Sequence, residues 1–457
     1  MRYAFAACSA LFDRPTGDRL SAEAAAASPV TRLPAMTLSP PQQHLATWAI
    51  AALATAGVIV RPFKLPEGVW AVLGAVVLVA CGLLPFGLAV EAVGKGTDVY
   101  LFLIGMMLLS EIARREGLFD WVAAVAVNHA RRSPQRLFVL IYGVGVVVTA
   151  FLSNDAAAVV LTPAVYTATR KAKVKPLPYL FICAFVANAA SFVLPISNPA
   201  NIVLYGDRTP PLGQWLASFA LPSLLAIVAT FVALRWTEGR RLEATCESDV
   251  EVPALSKGAW TAMTGLVLTA VVLLVVSARD LQLGLPTAIM GIVTTVIVLT
   301  ASRTAPWTAV RDVSWSVLPL VAGLFVLVEA LAATGAIREL GDLLTRSVAA
   351  TPQATSWSSG LLIAFVCNLM NNLPAGLIAS STIQLVHPPQ SVVDALLIGV
   401  DLGPNLSVTG SLATILWLNA IRREGEDVGF WRFFRLGAVV MIPALVFALG
   451  ARLLVGH

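Results

Sequence analysis

Two parallel series of apolar segments constrain this chain more than any other feature. The first falls near residues 45–60, 69–90, 99–113, 137–165, 178–204 and 211–235, the second near 259–277, 284–301, 314–333, 357–385, 391–419 and 431–455. The two series match in order and spacing at a displacement of 213–218 residues. Apolar runs of about 18 residues or more are the mark of helices that cross a hydrocarbon layer about 30 Å thick. Only 12% of the residues are charged and 58% are hydrophobic, whereas soluble domains run near 25% charged. Such a chain lacks the polar surface to coat a water-soluble globule, and it reads as an all-α polytopic membrane protein.

Residue identities support the internal repeat at two places. SEIARREGLF (110–119) lines up with VEALAATGAI (328–337), which sets Glu111 against Glu329 and Gly117 against Gly335. TAFLSNDAAAVVLTP (149–163) lines up with the stretch around NLMNNLPAGL (368–377), which sets Asn154 against Asn371 and Asp155 against Asn372. In each half this fourth segment consists of two short apolar pieces joined by a polar triplet. It is either two thin crossings or one re-entrant hairpin.

The distribution of Lys and Arg separates those readings. A hairpin puts the loops at 114–136 and 166–177 on one side, and both are basic: Arg114, Arg115, Arg131, Arg132 and Arg136 in the first, Arg170, Lys171, Lys173 and Lys175 in the second. With that side taken as cytoplasmic, 21 basic residues fall inside and 6 outside, as the positive-inside rule requires. Each half then holds five transmembrane helices plus one re-entrant hairpin, and the odd count turns the second half upside down. Inverted repeats of this kind are an architecture of secondary transporters. The division expected is an N-terminal extension (1–44), a first repeat (45–235), a cytoplasmic linker (236–258) and a second, inverted repeat (259–457). Both termini fall outside. Residues 1–35 fit a secretory signal poorly, and Met36 is an alternative start.

The fifth segment of each half carries a second interruption. LPISNPANIVL places Pro195, Ser197, Asn198, Pro199 and Asn201 in mid-span, and DLGPNLSVTGSLATI does the same with Asp401, Gly403, Pro404, Thr409, Gly410 and Ser411. Proline removes a backbone donor and clashes with the preceding turn, so both helices are expected to break near the midplane. At an offset of 213, Asn198 meets Ser411 and Asn201 meets Thr414. Unwound backbone at that depth is tolerated only inside protein or beside a polar cavity. A lone Asn or Ser in a span usually serves helix packing; four symmetric clusters beside helix breakers point to a ligand. The expected substrate contacts are Ser153, Asn154, Asp155, Ser197, Asn198, Asn201, Asn371, Asn372, Thr409, Gly410 and Ser411. Asp155 and Asp401 are the deepest acids and therefore the candidates for proton coupling, with a break-stabilising role as the alternative for Asp401. Glu111 and Glu329 are placed near span ends close to solvent, and Glu91, Asp98 and Asp394 at the interface.

Other classes of function find little support. The net charge of +5 in such a chain reports topology rather than nucleic-acid binding. The five cysteines form no CxxC pair or metal spacing; Cys81, Cys183 and Cys367 read as small apolar packing residues. VGKGTD (93–98) lacks the spacing of a phosphate-binding loop, so ATP use would need a separate subunit. No nucleophile–base pair stands out for an enzyme, and nothing calls for a cofactor.

At VTAFLSNDAAAVVLTPAV, ANAASFVLPISNPANIV and NLMNNLPAG the chain resembles the ion transporter superfamily, and within it the ArsB-type arsenite/antimonite efflux permeases. The resemblance covers residues 40–455. Dicarboxylate transporters of that superfamily carry Ser-Asn-Thr at both hairpin tips; here the tips read Ser153-Asn154-Asp155 and Asn371-Asn372-Leu373, which favours the arsenical branch. The resemblance implies export of trivalent arsenite or antimonite across the inner membrane, driven by the proton gradient or membrane potential, with a soluble arsenite-stimulated ATPase as an optional partner. Trivalent arsenite is on this reading a small uncharged polyhydroxy species that needs hydrogen-bonding groups rather than a fixed cation. A thiolate trap at Cys183 and Cys367 is the weaker reading, since neither lies in a tip or break. A sodium–proton antiporter or another anion transporter of the same superfamily is the alternative.

Overall fold

A computed structural model describes residues 39–455 except 207–208, 243–244, 248–249 and 304. The expected extension up to residue 38, the alternative start at Met36 and Arg208 lie outside the described residues. Residues 44–457 form one compact unit.

The first half runs α1 (Pro40–Val60), α2 (Glu67–Ala80), α3 (Phe86–Lys95), α4 (Thr97–Arg115), α5 (Leu118–His129) and α6 (Pro134–Leu152). It continues through α7 (Asn154–Ala156), a π-helical turn (Ala157–Leu161), α8 (Thr162–Lys171), α9 (Leu177–Ala189), α10 (Pro199–Tyr205) and α11 (Leu212–Glu238). The second half repeats that order: α12 (Lys257–Ala278), α13 (Gly284–Ser302), α14 (Pro306–Asp312), α15 (Val317–Ala333) and α16 (Ala336–Ala350). After these come α17 (Pro352–Met370), α18 (Asn372–Val386), α19 (Gln390–Leu402), α20 (Leu412–Arg423) and α21 (Phe430–Val455). Among the described residues, six helices are long and apolar enough to cross a membrane, or up to eight when the bent pairs α3–α4 (49°) and α15–α16 (74°) each count as one span. The protein is a multi-pass, all-helical integral membrane protein. Helix α1 starts five residues earlier than the apolar pattern indicates, at Pro40.

The hairpin reading of 137–165 is visible in what its two ends touch. The backbone N–H of Cys246 donates to the Arg132 carbonyl (3.3 Å) and that of Glu247 to the Ala172 carbonyl (2.9 Å). The two ends of the hairpin are therefore held by consecutive residues of one linker and lie on the same face. Further contacts sort the remaining loops. Asn128 exchanges two hydrogen bonds with Val250, Ser256 donates to Glu116, and Tyr166 donates to the Glu424 carbonyl, all on this basic face. On the opposite face Lys95 meets Glu329, Asp98 accepts from the Gly284 N–H, and Tyr205 donates to Asp394.

The halves are locked by crossed pairs: α4 of the first packs on α13 of the second, and α15 of the second on α2 of the first. Glycine makes the crossings close. A Cβ at Gly291 would lie 2.6 Å from the Gly105 backbone, and one at Gly323 would lie 2.6 Å from the Ala71 carbonyl carbon. Gly105 and Gly323 are 218 residues apart, the repeat offset. Small residues at helix crossings let backbones approach where lipid offers no hydrophobic driving force. The self-symmetric pair α11–α21 completes the scaffold.

Several expectations need correction. The segment read as 69–90 is two helices, because α2 stops at Ala80 and the chain turns at Gly82 (φ 69°) before Pro85. Cys81, read as a packing residue, is exposed in that turn. The stretch 118–129, read as loop, is helix α5, packed on α8; α16, its counterpart, packs on α18. Gly117 and Gly335 begin these two helices in the left-handed region (φ 74° and 91°), as their alignment requires.

Candidate functional site

Two hairpin tips and two helix breaks meet inside the bundle. Helix α6 ends at Ser153 (φ 97°, ψ 158°) and α7 begins at Asn154; α17 ends at Asn371 (φ 77°, ψ 154°) and α18 begins at Asn372. Positive φ with extended ψ is a region that only glycine enters without strain, and both tips hold it with a polar residue. This geometry corrects the tip alignment by one residue: Ser153 corresponds to Asn371 and Asn154 to Asn372, so Asp155 faces Leu373. The π-helical turn at Ala157–Leu161 holds one residue more than an α-helical turn, so past it the offset falls from 218 to 217.

The breaks are equally paired. Asn198 caps α10 by accepting from the Ala200 N–H (3.0 Å), and Ser411 caps α20 by accepting from the Thr414 N–H (3.2 Å), at the offset of 213. Each break is tied to the hairpin of its own repeat: Ser197 donates to the Ala150 carbonyl (2.9 Å), and Thr409 to the Asn368 carbonyl (3.2 Å). The Asn372 N–H donates to the Gly410 carbonyl (2.9 Å). Between repeats, Asn198 donates to Asp401 (2.6 Å), Asn188 to Asn405 (3.0 Å) and Ser411 to Asn188 (3.3 Å).

A small cavity lies where these elements converge, and its polar lining is Asn154, Asp155, Asn198, Asn372 and Ser411. Leu103 of α4 and Val317 of α15 close it from the scaffold side. Five of the residues read from sequence are thus brought together from both hairpins and both breaks. The others stand behind them. Ser153 lines the adjoining cavity, Asn371 caps α18 through the Leu373 N–H, and Asn201 donates to the Ser191 carbonyl. Thr409 and Gly410 face Asn368 and Pro404, and Asp401 sits fully buried behind Asn198. Four buried side-chain oxygens around the site have no hydrogen-bond partner among the described residues: Asn154 Oδ1, Asn201 Oδ1, Asp401 Oδ2 and Thr149 Oγ1. The supporting residues Asn368 and Asn405 escaped sequence reasoning; the signal was an asparagine within each interrupted apolar segment.

Two larger cavities approach from opposite faces. One of about 610 Å³, on the basic face, runs past Ser110, Glu111, Asp312 and Ser314 to Ser153 and Asp155. The other, about 1960 Å³, opens on the opposite face between α4, α10, α15 and α18, and is lined by Lys95, Asp98, Glu329, Arg338 and Gln384 among others. They are counterparts: Glu111 and Met107 in the first are replaced, 218 residues on, by Glu329 and Phe325 in the second. Glu111, expected close to solvent, is buried and held bidentately by Arg114 (2.9 and 2.7 Å). Among the described residues, neither the central nor the basic-face cavity is lined by Lys or Arg.

Asp394, expected at the interface, is fully buried and bonded to Arg452 Nε (2.6 Å), Tyr205 (2.7 Å) and Gln390 (2.7 Å). Cys183 and Cys367 are fully buried, donate weakly to the Tyr179 and Val400 carbonyls, and line none of these cavities.

Residues 50–400 match the family described as CitMHS, citrate transporter. The arsenical pump membrane protein of Yersinia enterocolitica is 28% identical over 76% of this chain and 84% of its own length. An arsenical pump membrane protein of Escherichia coli is 27% identical over 88% of this chain and 97% of its own. Among solved structures, the Alcanivorax borkumensis YdaH transporter shares the fold with a TM-score of 0.56 at 17% identity, covering 90% of this chain and 97% of that one.

Proposed function

Because the chain belongs to the CitMHS family of citrate transporters, we propose that it is a secondary transporter whose cargo is trivalent arsenite or antimonite, exported from the cytoplasm across the inner membrane. The observation that carries this reading is the central cavity of amides, a hydroxyl and one carboxyl, with no lysine or arginine in its lining among the described residues. A tricarboxylate placed there would lack compensating charge and would face Asp155, at a desolvation cost of several kcal/mol. An uncharged arsenic trihydroxide needs only donors and acceptors, which Asn154, Asn198, Asn372 and Ser411 supply. Relatives named arsenical pump membrane proteins over most of the chain point the same way.

In this mechanism the basic face is cytoplasmic and both termini are outside. Substrate passes Glu111 and Ser153 to reach the tips. Asp155, whose carboxyl faces two of the cavities, exchanges a proton for the substrate, so that inward proton movement drives export. The hairpins and broken helices shift as a unit against the cross-braced scaffold, and the site opens alternately to the two vestibules. Arsenic accumulation in arsenite-sensitive cells, with and without this chain and with and without a proton uncoupler, tests the reading. Lower accumulation that the uncoupler abolishes is expected; unchanged accumulation overturns it.

A sodium–proton antiporter is the second reading, favoured by the unpartnered oxygens of Asn154, Asn201 and Asp401, which are suitable ligands for a hard cation. In reconstituted vesicles, proton movement stimulated by Na⁺ and indifferent to As(III) would decide for it.

A further inference from the structure

At the basic face the ends of α11 and α21 enclose a cleft of about 1100 Å³ that shares no lining residue with the three cavities described above. Four guanidinium groups line it, those of Arg240, Arg241, Arg432 and Arg435, against the single carboxylate of Glu238. Glu238 is buried and taken by Arg241 (3.3 Å). Arg432 lies over the Phe181 ring, 5.5 Å from its centroid. Arg240 and Arg435 have no carboxylate partner among the described residues. The cleft therefore concentrates uncompensated positive charge in a concave site.

Its surroundings say what kind of anion fits. Trp236 is 72% exposed on its rim, and Trp431 (67%) stands beside Arg432. Exposed tryptophans at the ends of spans sit at headgroup level. Along α21 the cleft continues onto Leu436 and Val439, an apolar track running towards the hydrocarbon. A soluble anion uses only the guanidiniums; a phospholipid uses both parts. We propose that this cleft is a binding site for a phosphate-bearing anionic lipid, with the headgroup phosphate on Arg240 and Arg435 and an acyl chain along Leu436 and Val439. Basic pockets between helix ends at this level are suited to such headgroups. Gly437, next to Leu436, packs on the Asn405 and Leu406 carbonyls in the second helix break, so a lipid seated here lies against the segment that leads to Ser411. The inference does not depend on which substrate is carried.

The test is native mass spectrometry of the full chain exchanged from mixed phosphatidylglycerol and phosphatidylcholine. Each basic residue near an anionic headgroup contributes about a five-fold preference, so two give roughly thirty-fold retention of phosphatidylglycerol over phosphatidylcholine. Arg240→Gln with Arg435→Gln should abolish that preference. Arg170→Gln with Lys171→Gln, which removes equal charge from exposed positions at the end of α8, should leave it. Equal retention of both lipids by the unmodified chain overturns the proposal whether or not the variants fold. So does an equal loss in the two double variants, or displacement of phosphatidylglycerol by millimolar inorganic phosphate, which would assign the cleft to a soluble anion.

Discussion

Asn198 donates to Asp401 across 2.6 Å, and this hydrogen bond joins the broken helix of one repeat to that of the other. The same carboxamide accepts from the Ala200 N–H and lines the central cavity. One side chain thus starts a helix, neutralises part of a buried carboxyl's hydrogen-bonding demand and faces the central cavity. Asn198→Ala removes all three roles. Leaving a buried polar group unsatisfied costs about 1–3 kcal/mol, so thermal unfolding in detergent should shift downward and arsenite efflux should fall at least tenfold. Unchanged values for both would remove Asn198 from the site.

Asp155 differs in that it lines two of the cavities and has no hydrogen-bond partner among the described residues. Asp155→Asn should therefore leave the unfolding temperature nearly unchanged while uncoupling transport from protons. In vesicles loaded with a pH-sensitive dye, arsenite-driven proton movement should be lost, and the pH dependence of flux should flatten. Retained proton movement would shift the coupling role to Asp401.

The Asp394–Arg452 pair is a structural clasp that lines none of the three cavities described above. Removing one partner of a buried pair costs about 3–5 kcal/mol, whereas replacing both by apolar groups is often neutral. Arg452→Met should lower thermal stability sharply, and Asp394→Leu added to it should recover most of the loss. A double variant no better than the single would indicate that Tyr205 and Gln390 depend on the carboxylate itself.

Gly105 meets the Thr287 backbone so closely that no side chain fits. Gly105→Leu should drive α4 away from α13 and abolish folded protein in detergent chromatography. Gly105→Ala should cost about 1–3 kcal/mol of stability, as overpacking does. Gly143, whose Cβ would meet open space, is the control position and should tolerate alanine.

The repeat, the hairpins and the breaks were legible because each leaves a mark that needs no partner: apolar length, polar tips, prolines, and the sidedness of arginine. Asn154, Asp155, Asn198, Asn372 and Ser411 were found this way. The tip register was off by one because identity matching cannot see a π-helical turn, which inserts a residue without altering composition. Helix α5 escaped because its 12 residues are too short to span and are flanked by arginines, and α16 because Arg338, Glu339, Asp342 and Arg346 interrupt its apolar pattern. Asp394 reads as interfacial because a charge near a span end usually is; only packing of α19 against α21 buries it together with Arg452. Likewise, nothing in the order of the chain indicated that Asn188 would reach Asn405, since the pairing depends on how two inverted halves interlock.

The crossed packing of α4 on α13 and α2 on α15 has a consequence for biogenesis. The first half leaves the ribosome complete in its crossings, yet the glycine seam of α4 has no proper neighbour until residue 302 has been synthesised. Halves expressed as separate polypeptides should therefore survive proteolysis in the membrane only when both are present.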